Sequence, residues 1–364
     1  RRMRVGLDYR PALVNREGIG RAVREAVRAH AAAQEAELAL FGSTLGPARL
    51  TRDELGLSSV TRLSRLRLPS KLWRPLHAAT GVGADRLLGR IDLFHHTQPT
   101  TLPIARAVET ATLWDCLWKA GGSGWIAPEV AERMEASARA VVERCARIQV
   151  PSRSVADELV EVLGVDPARI DLVPLGVDHV LRVAPDFSRV PSTPFLLTAA
   201  RVDPRKNHVV ALRALEILRD RGHDLAWVVV GPPGHAAERF EEALARSRAR
   251  AVVDWRRTVP DAELVALYRR CECFVFPSLG EGYGFPPLEA AALGAPVVSS
   301  DAGSLAEILP PEAHVIDPHS PEAIAGAVDR ALGGDRRAST WEPPSWAASA
   351  ERQRAAWARA VESH

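Results

Sequence analysis

The sequence predicts an α/β protein with two parallel sheets, each covered by helices on both faces. Three observations predict it. Short apolar runs of buried-strand length alternate with longer runs of helical spacing along the chain. The alternation occurs twice, in halves separated by a polar stretch at 184–194 that carries Pro185, Pro191 and Pro194. At 364 residues the chain is long enough for two cores rather than one.

The elements follow in order. The first half opens with a strand at 3–8, a loop containing Gly18-Ile19-Gly20, and a helix reaching about Ala33. Strand-like runs follow at 38–41, 93–95, 111–113 and 148–151, with helical runs between several of them, and Asp171-Leu172-Val173-Pro174-Leu175-Gly176-Val177-Asp178 closes the half. The second half restarts with the buried strand 195–200. A loop at 201–206 leads to a helix with Asn207 as its cap, carrying Val210, Leu212, Leu215, Ile217 and Leu218 and ending near Gly222. Strand 226–230 and the turn Gly231-Pro232-Pro233-Gly234 come next, then strands at 273–277 and 295–299 around a short helical run. The tail 346–364 follows Pro343-Pro344, has helical spacing, and is expected to pack back toward the first half. The expected division is a Rossmann-like domain at 1–184, a second at 185–345, and a returning helix at 346–364.

Composition narrows the function. Hydrophobic content of 46% and charged content of 25% are those of a soluble globular protein. A net charge of +2 argues against a whole-molecule polyanion binder, and no nucleic-acid-binding module is recognisable. Cys116, Cys145, Cys271 and Cys273 lack metal-site spacing, and the last two alternate along a strand, so a reduced, cytoplasmic protein is the expectation. No apolar run approaches membrane-spanning length and no signal peptide is visible.

The most informative stretch is Glu281-Gly282-Tyr283-Gly284-Phe285-Pro286-Pro287-Leu288-Glu289. It lies between the strands at 273–277 and 295–299, so Glu281 falls in a loop and Glu289 near the start of a helix. Phosphate sits well at a helix N-terminus, and neighbouring carboxylates accept hydrogen bonds from sugar hydroxyls. The layout suits a nucleotide-sugar.

At these residues the chain resembles the retaining glycosyltransferases of family 4, which have the GT-B fold of two Rossmann-like domains facing a cleft. The resemblance runs through most of the chain in order. It is carried by Gly18-Ile19-Gly20-Arg21, Val173-Pro174-Leu175-Gly176-Val177-Asp178, Arg201-Val202-Asp203-Pro204-Arg205-Lys206-Asn207, Pro277-Ser278-Leu279-Gly280-Glu281-Gly282-Tyr283-Gly284, and Glu289-Ala290-Ala291-Ala292-Leu293-Gly294-Ala295-Pro296-Val297-Val298. It implies that Arg201 and Lys206 hold the donor diphosphate, with Arg205 able to replace either. Solvated loop charges are the alternative, although cations beside a helix N-terminus are unfavourable without an anion. It implies that Glu281 meets the hydroxyls of the donor sugar, beside the amides of Gly282, Tyr283, Gly284 and Phe285. Glu289 is implied to bind the ribose hydroxyls, against the plainer reading of an acid in a first helical turn. Gly18 and Gly20 are implied to approach the donor phosphate, or else simply form a turn before a helix.

One position departs from the family pattern. Where the family has His-Asp, this chain reads Leu113-Trp114-Asp115-Cys116, with Trp in the His position. Trp is no base but stacks on sugar faces, and Asp115 remains a polar contact. His95 and His96, after Asp92-Leu93-Phe94, are the next candidates, either at substrate or structural. Trp118 and Gly121-Gly122-Ser123-Gly124 have the look of a mobile acceptor loop. No Asp-x-Asp triplet occurs, so the metal-holding motif of GT-A enzymes is missing and a metal-independent reaction, needing no cofactor beyond the nucleotide-sugar co-substrate, is expected. The favoured route is front-face attack, the leaving phosphate taking the acceptor's proton.

The segment 56–84 has no acidic residue and carries Arg62, Arg65, Arg67, Lys71 and Arg74 among Leu63, Leu66, Leu68, Leu72, Trp73 and Leu76. Ser70, after Pro69, is placed to cap a short amphipathic helix. Residues 62–76 read either as a contact for an anionic membrane or lipid-diphosphate acceptor, or as a packed helix with a solvated basic face. The leading expectation is transfer of a hexose, mannose from GDP-mannose, to a glycan or polyprenyl-linked acceptor. A nucleotide-sugar epimerase or hydrolase of the same fold is the alternative enzyme, and a catalytically inactive nucleotide-sugar-binding homologue, motivated by Trp114, the non-enzymatic one.

Overall fold

Parallel strands buried on both faces need near-continuous apolar runs, and the strongest runs of this chain lie at the centres of two sheets. The computed structural model describes residues 2–16, 18–44, 55, 57, 62–67, 70–99, 102–120, 124–334 and 341–364. They divide into two units, one of 1–119, 128–176 and 344–364, the other of 120–127 and 177–343.

The first unit begins with β1 (Met3–Asp8), α1 (Arg10–Val14), α2 (Ile19–Ala33), β2 (Ala36–Ser43) and β3 (Arg62–Leu66). It continues through α3 (Ser70–Thr80), α4 (Ala84–Leu87), β4 (Leu93–His96), β5 (Val108–Thr112), α5 (Pro128–Arg144), β6 (Arg147–Val150), α6 (Arg153–Leu163) and β7 (Ile170–Leu172). Its seven strands pair in the order β3-β2-β1-β4-β5-β6-β7, with every pairing parallel. The second unit carries β8 (Phe195–Ala199), α7 (His208–Asp220), β9 (Ala226–Val230), α8 (Ala237–Arg246), β10 (Val253–Arg256) and α9 (Asp261–Arg270). Then follow β11 (Cys273–Phe276), α10 (Phe285–Ala292), β12 (Val297–Ser299), α11 (Leu305–Ile308), β13 (His314–Val315) and α12 (Pro321–Gly333). Its six strands pair in the order β10-β9-β8-β11-β12-β13, again all parallel. Both sheets thus run outward on one side of their first strand and then restart on the other, which is Rossmann topology.

The last helix, α13 (Trp346–Glu362), belongs to the first unit and packs on α2. Trp357 is fully buried in a cluster with Val5, Leu7, Tyr9, Val23, Val27, Leu40 and Leu93. Its ring stacks on His30 at 4.7 Å. A buried polar chain ties the same helix to α2 and β6: His30 Nε2 meets Gln353 Oε1 at 2.8 Å, and Gln353 Nε2 donates to Gln149 Oε1 at 2.8 Å.

Several elements differ from the sequence expectation. After its short segment 120–127, the second unit resumes at Val177, ahead of the Pro-containing stretch at 184–194. The intervening residues dock onto the second unit: Asp186 N–H donates to Ala262 O at 2.9 Å, and Arg189 pairs with the buried Glu263 at 3.3 Å. Asn207 occupies the N-cap of α7, but its side chain donates to Pro318 O at 2.6 Å instead of accepting from the helix. Residues 62–66 form β3, which among the described residues is an edge strand paired only with β2, where arginines suit an exposed edge. Ser70 does open α3, on which Leu72 and Leu76 are 49% and 39% exposed. Among the described residues, no helix is long and apolar enough to cross a membrane.

Candidate active site

In an open parallel sheet the crevice lies beyond the carboxyl ends of the strands, where the strand order reverses. In the second unit that point falls between β8 and β11. The loop after β8 carries residues 200–207 and the loop after β11 carries 277–284. They meet through backbone and side chains: Leu279 N–H donates to Arg205 O at 2.7 Å, and Ser278 Oγ to the same oxygen at 3.3 Å.

At this junction Lys206 Nζ donates to Glu281 Oε1, which also accepts from Ser278 Oγ and pairs with Arg205 Nη1 at 2.7 Å. Arg205 Nη1 donates further to Gly280 O at 2.8 Å. Lys206 lies over the Phe276 ring, 4.6 Å from its centroid. Burial brings the Lys206 ammonium down to about 8, although the Glu281 carboxylate opposes that shift. Burial alone raises a carboxyl, but Lys206 and Arg205 outweigh it and hold Glu281 down at about 2. The pair is therefore charged at neutral pH although both side chains are buried. Arg201 is different: its side chain is 56% exposed and its nearest acid, Asp203, lies 4.0 Å away. It is a cation available to an anion from solvent.

The Glu281 loop is braced from β12. Ser304 N–H donates to Glu281 O at 3.2 Å, Ser304 Oγ donates to Gly282 O at 2.5 Å, and Ser300 Oγ donates to Ser278 O. Gly303 takes φ 64°, and a Cβ there would meet Glu281 O at 2.4 Å. Gly284 caps α10 with φ 103°, where a Cβ would strike Leu305 Cδ2 at 2.6 Å. Both positions combine left-handed backbone with close packing, which only glycine meets. Pro286 and Pro287 occupy the first turn of α10 and lack amides, so its N-terminal donors reduce to Gly284 and Phe285. Tyr283 is buried with its ring 5.5 Å from Phe285.

Glu289 lies in α10 and is 4% exposed. Its Oε1 meets His179 Nε2 at 3.0 Å, and its Oε2 accepts from Tyr268 OH at 3.1 Å. The sequence reading named neither partner. His179 stands in a 3-10 turn at Asp178–Arg182 and Tyr268 in α9, so sequence spacing carried no signal for them. Ser300 and Ser304 were equally unmarked, and Ser278 stood in a matching segment without a role of its own.

The candidates in the first unit lie elsewhere. Gly18 is the N-cap of α2, and Gly20 packs in its first turn against the Pro11–Asn15 backbone. His95 is buried with Nδ1 2.9 Å from Thr110 Oγ1 and Nε2 3.0 Å from Thr112 Oγ1. Burial lowers its ring to about 3, so it stays neutral, and both of its nitrogens are engaged inside the sheet. His96 is held by Glu109 Oε2 at 2.8 Å. Asp115 Oδ1 accepts from Leu117 N–H at 3.2 Å. Trp114 Nε1 donates to Thr97 O at 2.7 Å, and Thr97 Oγ1 donates to Asp8 O at 2.7 Å, linking the ends of β5, β4 and β1. Trp114, His95, Thr112, Gln149 and Gln353 line a cavity of about 30 Å³ in this unit, enough for a water molecule. Trp118 is buried, and Gly121–Ser123 lie outside the described residues.

Residues 185–343 match the family described as "Glycosyl transferases group 1", and residues 16–181 the family described as "Glycosyltransferase Family 4". The chain belongs to glycosyltransferase family 4, with the GT-B fold. It is 31% identical over 206 residues to the serotype-specific mannosyltransferase WbdA of Escherichia coli, covering 52% of this chain and 25% of that protein. It is 32% identical over 193 residues to a D-inositol 3-phosphate glycosyltransferase of Nocardia farcinica, covering 49% of this chain and 42% of that one. The chain thus spans less than half the length of these two relatives. The Anabaena protein HepE, solved in complex with UDP and glucose, superposes with a TM-score of 0.71 at 14% identity over 99% of this chain and 96% of that one. At that identity the likeness to HepE bears on the fold of this family 4 chain.

Proposed function

We propose that the chain transfers a hexose from a nucleotide-sugar to a glycan or polyprenyl-linked acceptor, with retention of anomeric configuration and without a metal ion. The observation that supports it most is the buried Lys206–Glu281 pair bridging two loops at the β8/β11 switch point, beside the exposed Arg201. In this reading residues 1–184 receive the acceptor, 185–345 hold the donor, and 346–364 complete the first domain. Arg201 binds the diphosphate bidentately, and Lys206 neutralises charge as it becomes the leaving group. Glu281 accepts from sugar hydroxyls, Glu289 from the ribose, and the amides of Gly284 and Phe285 complete the phosphate cradle. The leaving phosphate oxygen takes the acceptor's proton as the glycosidic bond forms on the same face, so no protein nucleophile is required. Gly18 and Gly20 contribute phosphate-facing amides, and Asp115 contacts the acceptor.

Mannose from GDP-mannose is the donor we favour, because WbdA is named a mannosyltransferase and matches the chain over about half its length. UDP is the competing nucleotide, as HepE was solved with it. One observation favours a second reading, an inactive nucleotide-sugar-binding homologue: Trp114 replaces a family histidine and its indole is committed to Thr97. A cytoplasmic setting with α3 against an anionic membrane fits the exposed Leu72 and Leu76.

Calorimetric titration with GDP, UDP, GDP-mannose and UDP-glucose, with and without EDTA, tests the donor and the metal. EDTA-insensitive binding of one nucleotide is expected, and loss of binding on chelation overturns the metal-free site. NMR of the product formed with a glycan acceptor then reads the anomer. Binding without turnover on any acceptor would leave the inactive-homologue reading standing.

A further inference from the structure

The second-unit carboxylate Glu289 is buried, and a buried carboxylate is costly unless donors reach it. His179 and Tyr268 are among those that do so, one on each oxygen. His179 comes from the turn that opens the unit, Tyr268 from α9, and Glu289 from α10, so three elements converge on one group. A carboxylate is acceptor-only, so His179 Nε2 carries the proton facing it. Donors on both of its oxygens restrain rotation of the carboxylate about its last torsion. A carboxylate oxygen can accept more than one hydrogen bond. The His179 ring also stands edge-on to Phe285, centroids 6.2 Å apart at 89°, and Phe285 heads the same helix.

We propose that His179 and Tyr268 are positioning residues for nucleotide recognition: they orient the Glu289 carboxylate so that both of its oxygens meet the adjacent ribose hydroxyls. The proposal rests on the reading of Glu289 as the ribose contact. Two vicinal hydroxyls match a carboxylate only when its plane is set, and a carboxylate free to rotate about its last torsion loses that match. Glu289 held by donors before the ligand arrives pays less ordering on binding. The effect is confined to the ribose, because neither side chain contributes to the Lys206–Glu281 pair.

The test compares UDP with 2′,3′-dideoxy-UDP, and GDP with 2′,3′-dideoxy-GDP, by calorimetry on the full chain. The wild-type protein is expected to prefer the ribose form of the nucleotide it binds. His179→Phe should cut that preference about tenfold, the weight of one hydrogen bond to a charged group, while affinity for the dideoxy form stays unchanged. His179→Gln, which keeps an N–H donor, should restore much of it. In turnover, His179→Phe should raise KM for the donor more than it lowers kcat. Tyr268→Phe removes only a hydroxyl and supplies the same comparison if Phe at 179 prevents folding. If the wild type does not distinguish the two forms, Glu289 is no ribose contact and the reading beneath the proposal falls. A wild type that distinguishes them, with both variants distinguishing them equally well, keeps that reading and overturns the positioning role.

Discussion

At the scale of single residues, the site turns on one buried cation. Lys206 is desolvated, and its pKa of about 8 places deprotonation within reach of ordinary buffers. A bound diphosphate stabilises the charged form and raises that pKa, so binding takes up a proton once the free site begins to lose it. Nucleoside diphosphate affinity should therefore fall as pH rises above about 8. Lys206→Arg, which keeps its charge, should carry the decline away; a flat profile in the wild type would count against a diphosphate contact. Lys206→Ala should weaken binding of the diphosphate far more than that of the nucleoside, and equal losses would remove Lys206 from the phosphate. Glu281→Ala should lower turnover more than donor binding, because contacts to the reacting sugar matter most in the transition state. The sequence marked Glu281 and Glu289 by their place in a strand–loop–helix stretch, and Arg201 and Lys206 as loop cations whose role the resemblance to glycosyltransferase family 4 implies. It did not reveal that Lys206 and Glu281 pair with each other, because that contact joins loops 75 positions apart. His95 shows a second limit: the threonines that hold the ring of this strand-end histidine lie on the neighbouring strand, 15 and 17 positions away, where spacing carries no signal.

At the scale of elements, the strand ends are shaped by the loops that support them. The turn after β12 lies against the Glu281 loop through Gly303 and Ser304. Gly303→Ala adds a Cβ that meets backbone at 2.4 Å and must also adopt a φ of 64°, so neither side can yield cheaply. The substitution should destabilise the second unit by more than about 1 kcal/mol and displace Glu281, lowering kcat even where the protein stays folded. Chemical denaturation and steady-state kinetics check the two effects separately, and a variant with wild-type kcat would sever the 300–304 turn from the site. The central strands were legible because β8, β9 and β11 are short apolar runs between turn signals. Strand β3, with the sequence RLSRL, was not. An edge strand buries little and carries charge, so its composition resembles that of a basic surface segment. The docking of 178–190 was not legible for a related reason: it depends on Glu289 and Glu263, which lie far away in sequence.

At the scale of the whole molecule, the chain's last helix completes the unit its first strand begins. The 346–364 tail was legible as a helix from its spacing, and its return to the first unit follows from apolar residues that need cover. Trp357 shows how much rests on it: the ring is fully buried among residues of β1, α2, β2 and β4, and touches His30 and His95 edge or face. Truncating a buried Trp costs about 3–5 kcal/mol, through lost burial and the cavity left behind. Trp357→Ala should therefore lower the melting of the first unit. Two core clusters of the second unit lie on the two faces of its sheet, and among the described residues none of their members comes from α13. Two units with separate cores need not unfold as one cooperative block. Scanning calorimetry of the Trp357→Ala protein should show one transition moved down, and a second that the bound nucleotide still moves up. Nucleotide affinity should stay at the wild-type value while transfer is lost. A single transition that falls as a whole, with nucleotide affinity falling alongside it, would mean that α13 supports both units and that the donor site depends on the first.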